Sequence, residues 1–228
     1  MKKYLIGLLG FAFVAGMSGL ASAVITGSSH DFSDNTAAGA KDAWNSKRQE
    51  ICRVCHVPHD HGRTLYSSGL LWNHDVSTQS YTMYSSTTLQ GATAASPDGY
   101  SKLCLGCHDG TVGVDSFDGK HTTPGDNVIG LYDPGYQIPG AAASYSLQGT
   151  HPISITYNTA DTGLNATTTV MGTSGTIADV LQEGKVQCSS CHDVHNSSEV
   201  AAGTHLLREN QKKSTGTASG LCLTCHNK

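Results

Sequence analysis

All eight cysteines of this 228-residue chain fall in four copies of one pattern, C-x-x-C-H: Cys52-Cys55-His56, Cys104-Cys107-His108, Cys188-Cys191-His192 and Cys222-Cys225-His226. Four disulfides, or two zinc sites of four cysteines each, would use up the same thiols. Neither requires a histidine directly after every second cysteine. Covalent attachment of c-type haem does: two thiols three residues apart add to the two porphyrin vinyl groups, and the adjacent imidazole meets the iron from the same side. The expected cofactors are four covalently bound haem c groups. Cys52, Cys55, Cys104, Cys107, Cys188, Cys191, Cys222 and Cys225 are then the attachment points, and His56, His108, His192 and His226 the proximal iron ligands.

Composition fits a chain that folds around something it does not encode. Lys2 and Lys3 precede an apolar run at 4–14, and Ala21-Ser22-Ala23 is a small-residue cleavage signature. This predicts a signal peptide at 1–23 and one exported tetrahaem domain at 24–228. The apolar run is short for a spanning helix, and no cysteine follows the cut, so no membrane anchor is expected. Of the 205 residues left, only 35 are Leu, Ile, Val or Phe, while Gly, Ser and Thr total 69. That is too few large apolar side chains for an ordinary core; four porphyrins would supply the difference. Without Lys2 and Lys3 the balance is 12 basic to 18 acidic residues, with no basic run, which argues against a nucleic-acid partner.

The motifs start 52, 84 and 34 residues apart. The long interval holds two low-complexity stretches, 118–149 and 161–176, which read as surface loops. Each motif is expected to begin a short helical turn. Residues 37–56 have helix-compatible composition, 177–183 (IADVLQE) reads as a short helix, and 153–157 (ISITY) alternates like a strand in a small hairpin. Asn165-Ala166-Thr167 and Asn196-Ser197-Ser198 match a glycosylation sequon, a pattern that usually marks only a polar loop.

Each iron needs a ligand on its far face. Eight histidines remain for four places: His30, His59, His61, His74, His121, His151, His195 and His205. Met83 and Met171 are the alternative, outnumbered by imidazoles. Thioether bonds hold the first haem with His56 on one face, and the backbone of His59, about one helical turn on, cannot cross the porphyrin plane. If His59 binds iron, it binds the iron of another haem. His195 repeats this spacing after His192, so each C-H-x-x-H unit would bring two haems close together. His61, followed by Gly62, reads as a surface histidine, and His121 and His205 sit in polar stretches. Trp72, Tyr66, Tyr81 and Tyr84 read as packing against porphyrin.

The stretches GSSHDFS (27–33), CRVCHVPH (52–59), LLWNHD (70–75), KLCLGCHDGTVGVDSF (102–117), THPISITY (150–157), CSSCHDVH (188–195) and LCLTCHNK (221–228) resemble the doubled C-x-x-C-H multihaem c-type cytochromes. Among them the pattern is similar to the extracellular tetrahaem cytochromes of metal-reducing bacteria that polymerise into conducting filaments. The resemblance implies distal iron ligands at His30, His59, His151 and His195, with His74 as the substitute. It implies a fold that is mostly coil, with a few short helices and little strand, wrapped around a chain of four haems.

The expected function is electron transfer rather than enzymatic catalysis, at the outer cell surface or beyond it. The partners implied are other copies of the chain, redox cytochromes and external electron acceptors. A soluble periplasmic tetrahaem carrier is the alternative. A multihaem oxidoreductase would need an iron with an open position, which the surplus of histidines disfavours.

Overall fold

The structure, a computed structural model, describes residues 25–26, 28, 30–32, 50–59, 71–119, 134–138, 145–195, 206–209 and 219–227. The expected signal peptide at 1–23, residues 37–49, His61, Tyr66, His121, Asn196, His205 and most of 118–149 lie outside them. What is described is mostly coil carrying short elements. These are a 3₁₀ turn at Cys52–Val54, helix α1 at Gly99–His108, 3₁₀ turns at Pro134–Tyr136 and Leu147–Gly149, strand β1 at Ile155–Thr156, helix α2 at Ile177–Val180, strand β2 at Lys185–Val186, helix α3 at Cys188–Cys191 and helix α4 at Gly220–Cys225.

All four C-x-x-C pairs ride on helical turns, because one turn brings positions i, i+3 and i+4 to the same side. The second and fourth motifs end their helices rather than begin them. Side chains start the short helices: Ser219 Oγ accepts from the Cys222 N–H at 3.3 Å, and Asp179 accepts from the Thr176 N–H and hydroxyl at 2.8 and 2.7 Å. The expected helix at 177–183 stops at Val180, since Leu181 is already extended (ψ 135°) and Gln182 and Lys185 close a turn by exchanging backbone hydrogen bonds. The expected strand is shortened to Ile155–Thr156. It pairs antiparallel with Lys185–Val186 in the register Ile155↔Val186, Thr156↔Lys185, so its partner lies across a long connection and not in a local hairpin.

Among the described residues one apolar cluster joins Tyr157, Met171, Ile177 and Val180, with Leu164, Leu181, Val186 and Cys225 packed against it, and Val54, Leu103, Leu105 and Leu147 are buried outside it. Within the stretch 161–176, which is otherwise exposed or half-buried and without helix or strand, as a surface loop should be, Met171 is 1% exposed and anchors the loop in this cluster. Elsewhere polar side chains join the pieces. Cys188 N–H donates to Ser101 Oγ at 3.0 Å, Ser101 donates in turn to Gln187, Gln187 Nε2 donates to Asp98 at 2.8 Å, and Lys185 Nζ meets Asp98 at 2.5 Å. These bonds lock α1 to the start of α3.

A three-residue segment lies antiparallel against three of the four motifs. Leu71–Trp72–Asn73 faces the first, with Val57 N–H donating to Leu71 O and Asn73 N–H to Cys55 O, both at 2.9 Å. Leu206–Leu207–Arg208 faces the third through Asp193 N–H to Leu206 O (2.7 Å) and Arg208 N–H to Cys191 O (2.9 Å). Gly163–Leu164–Asn165 faces the fourth through Asn227 N–H to Gly163 O and Asn165 N–H to Cys225 O, both at 2.9 Å. In each case the middle residue is bridged to the motif histidine: Trp72 to His56, Leu207 to His192, Leu164 to His226. Leu71 and Leu206 hold left-handed backbone (φ 58° and 57°), a strained state for leucine.

Candidate metal centres

Three motif histidines each face a histidine from outside the motifs. His56 and His195 have ring centres 6.2 Å apart with planes at 22°. His30 and His108 are 6.0 Å apart at 55°, and His151 and His226 6.3 Å apart at 64°. Two imidazoles sharing one metal, with metal–nitrogen bonds of about 2 Å, place their ring centres about 6 Å apart. The common spacing therefore matches a shared ion between the two rings in every pair.

Hydrogen bonds prepare several of these rings as ligands. His108 Nδ1 lies 2.9 Å from Tyr136 O, and His151 Nδ1 lies 3.0 Å from Pro152 O. A backbone carbonyl at Nδ1 fixes the proton there and leaves the Nε2 lone pair for a metal. His195 is placed by Asp193, whose Oδ1 accepts from the His195 N–H at 3.2 Å.

His74 is built differently. It is fully buried, with Nδ1 2.7 Å from Asp75 O and Nε2 3.1 Å from Gly113 O and 3.3 Å from Cys107 Sγ. Burial holds its pKa below the usual imidazole value against the pull of those carbonyls. Both nitrogens are engaged, and the ring sits against a motif cysteine rather than facing a motif histidine. His59 is exposed, and no ring pair among the described residues includes it. Met171 packs in the apolar cluster. Tyr81 donates to Asp109 at 2.5 Å, beside the second motif histidine.

No disulfide joins any of the eight cysteines. Burial, then the neighbouring Cys107 and Cys52, pushes Cys55 up to about 12. Burial, then Asp109, takes Cys107 to about 12. Cys191 rises to about 11 through burial and its neighbour Cys225. Cys104 is raised by its contact with Cys188 and by burial. Cys188 moves the other way, held down by hydrogen bonds with Cys104 and Ser101 that outweigh its burial. The Cys104–Cys188 contact brings the sulfurs of the second and third motifs together.

The residues present fit a haem at the first, second and fourth motifs, where a second imidazole faces the motif histidine. One further sign is Trp72, whose ring stands edge-on to His56 (centres 6.0 Å apart, 90°) and whose buried indole N–H has no hydrogen-bond partner among the described residues. Buried donors are seldom left in that state, and a porphyrin beside His56 carries carboxylate acceptors. Reasoning from sequence missed Asn73, Asn165 and Arg208. Only the repeated backbone pairing reveals them. No protein-family model matches the chain, and no curated protein matches it.

Proposed function

We propose that the protein is an exported tetrahaem c-type cytochrome that carries electrons, resembling the filament-forming extracellular multihaem cytochromes. The observation that carries this reading is the set of three histidine pairs, each joining one motif histidine to one outside the motifs at 6.0–6.3 Å between ring centres. When bound, each haem supplies an iron that cycles between ferric and ferrous states.

The chain's own residues do the rest. Four cysteine pairs tether the porphyrins. His56 and His195 would hold one iron, His108 and His30 a second, and His226 and His151 a third, within one subunit. Two imidazoles leave no open position at these irons, which disfavours an oxidoreductase that binds substrate at iron, and they favour a lower potential than a His/Met pair. The contact between Cys104 and Cys188 favours a short step between the porphyrin edges of the second and third motifs.

His59 is the fourth distal ligand in this proposal. It is exposed and tied by sequence to the near side of its own haem. The irons at His56, His108 and His226 already face imidazoles, so His59 would serve the haem of the third motif in a neighbouring copy. Such a heterologous contact, repeated, builds an open filament that could deliver electrons to external acceptors. No helix among the described residues is long and apolar enough to cross a membrane.

The test is optical and magnetic. Purified ferric protein should be six-coordinate and low-spin at every haem, should reduce reversibly, and should not bind cyanide rapidly. A haem that binds cyanide or nitrite at once would favour the enzyme reading. Electron microscopy of the secreted fraction distinguishes a filament from a soluble carrier.

A further inference from the structure

Within a continuing helix, the carbonyl of the residue after the first motif cysteine accepts from the N–H four residues later, which belongs to the residue following the motif histidine. The second motif obeys this: Asp109 N–H donates to Leu105 O at 3.0 Å. The other three motifs break it at the same position. Val57, Asp193 and Asn227 send that N–H to Leu71, Leu206 and Gly163 instead.

The carbonyls thereby deprived of their helical donor are those of Arg53, Ser189 and Leu223. In all three places a side chain takes over: Asn73 Nδ2 donates to Arg53 O at 2.5 Å, Arg208 Nε to Ser189 O at 2.7 Å, and Asn165 Nδ2 to Leu223 O at 3.1 Å. Asn165 comes before its motif and the other two come after theirs, yet all three converge on one hydrogen bond. At the same place the backbone leaves the turn: His192 (φ −106°, ψ 133°) and His226 (φ −100°, ψ 130°) are extended.

Building on the tetrahaem reading, we infer that Asn73, Arg208 and Asn165 are positioning residues for the haems at His56, His192 and His226. Each side-chain donor satisfies the carbonyl that would otherwise draw the chain on into helix. The motif histidine is thereby held in extended backbone, and its imidazole plane is set about the bond to iron. Without the donor, the following N–H can return to that carbonyl, the helix gains a residue as in the second motif, and the ring turns. The second motif has no such donor because its helix already runs through His108.

The experiment compares wild-type protein with Asn165→Ala, Arg208→Ala and Arg208→Lys by intact mass and by low-temperature EPR of the ferric state. The expected result is four haems in Asn165→Ala, with the EPR signal of one haem displaced and the others unmoved. Arg208→Ala should likewise displace one signal, a different one, and Arg208→Lys, which keeps a donor, should restore it. If Arg208→Ala loses its haem or fails to fold, restoration of four haems and the wild-type spectrum by Arg208→Lys supports the inference equally. Unmoved spectra in both alanine variants, or an Arg208→Lys protein no better than Arg208→Ala, would overturn it. Absence of covalent haem from the wild-type protein would refute the haem reading itself, and mass alone shows that.

Discussion

His56 and His195 lie nearly parallel, at 22°, whereas His30 and His108 cross at 55° and His151 and His226 at 64°. In a ferric haem with two imidazole ligands, parallel rings split the iron d orbitals more and give a rhombic EPR signal; crossed rings give a more anisotropic one. The proposal therefore expects one rhombic signal, from the haem at His56, and at least two more anisotropic signals. Replacing His195 with Ala should abolish the rhombic signal and create one high-spin haem while all four remain attached. Loss of an anisotropic signal instead would mean that the pairing is wrong. Also at the residue scale, Asp109 is fully buried and accepts from Tyr81 Oη and from the Thr111 N–H and hydroxyl at 2.8 Å each. Burial, and then Asp109, raises the Tyr81 pKa above the usual phenol range. Tyr81→Phe should cost about 1–3 kcal/mol, the penalty for a buried acceptor losing a donor, read as a lower denaturation midpoint with an unchanged haem count.

Among the elements, α1 shows what the x positions of a motif are for. A Cβ on Gly106 would lie 2.7 Å from Asp75 O, a backbone atom, so the segment carrying His74 crosses the helix where only hydrogen fits. Gly106→Ala should destabilise by about 1–3 kcal/mol through forced backbone movement, measurable by thermal unfolding. The tie between α1 and β2 should respond to acid. Burial opposes ionisation of Asp98, but hydrogen bonds from Lys185, Gln187 and Ser154 outweigh it and hold the carboxyl below its ordinary value. A depressed pKa means that the stabilisation is present above the unfolded value and is lost as pH falls through the folded one. Both side chains are about a third exposed, so the effect is under about 1 kcal/mol. Melting curves taken from pH 6 downward should fall less for Asp98→Asn than for wild type below about pH 4, the usual carboxylate range. The motif helices were legible because their spacing is local. The clamps were not, because Asn165 acts on a motif far along the chain, and its sequon gave no hint that its amide is spent on the Leu223 and Thr224 carbonyls.

For the molecule as a whole, the shortage of large apolar residues was readable from composition, and the four-residue cluster around Met171 agrees with it. The distal candidates His30, His151 and His195 were readable as residues but not as pairs. Which imidazole faces which depends on long-range packing, as between His56 and His195, that no local pattern encodes. The burial of Met171 within the loop 161–176 was hidden for the same reason: the few apolar side chains there carry no periodicity. With only 35 Leu, Ile, Val and Phe in residues 24–228, the chain should need its haems to fold. Replacing all eight cysteines with Ser should give coil-like circular dichroism and rapid proteolysis. Assembly is tested at His59: His59→Ala should keep four haems, turn one high-spin and weaken filament formation under the electron microscope. The most direct measurement is the intact mass of the exported protein under denaturing conditions. The account requires the chain from residue 24 to 228 plus four covalently attached haems and no alkylatable thiol; eight free thiols, disulfides, or zinc in place of iron would contradict it.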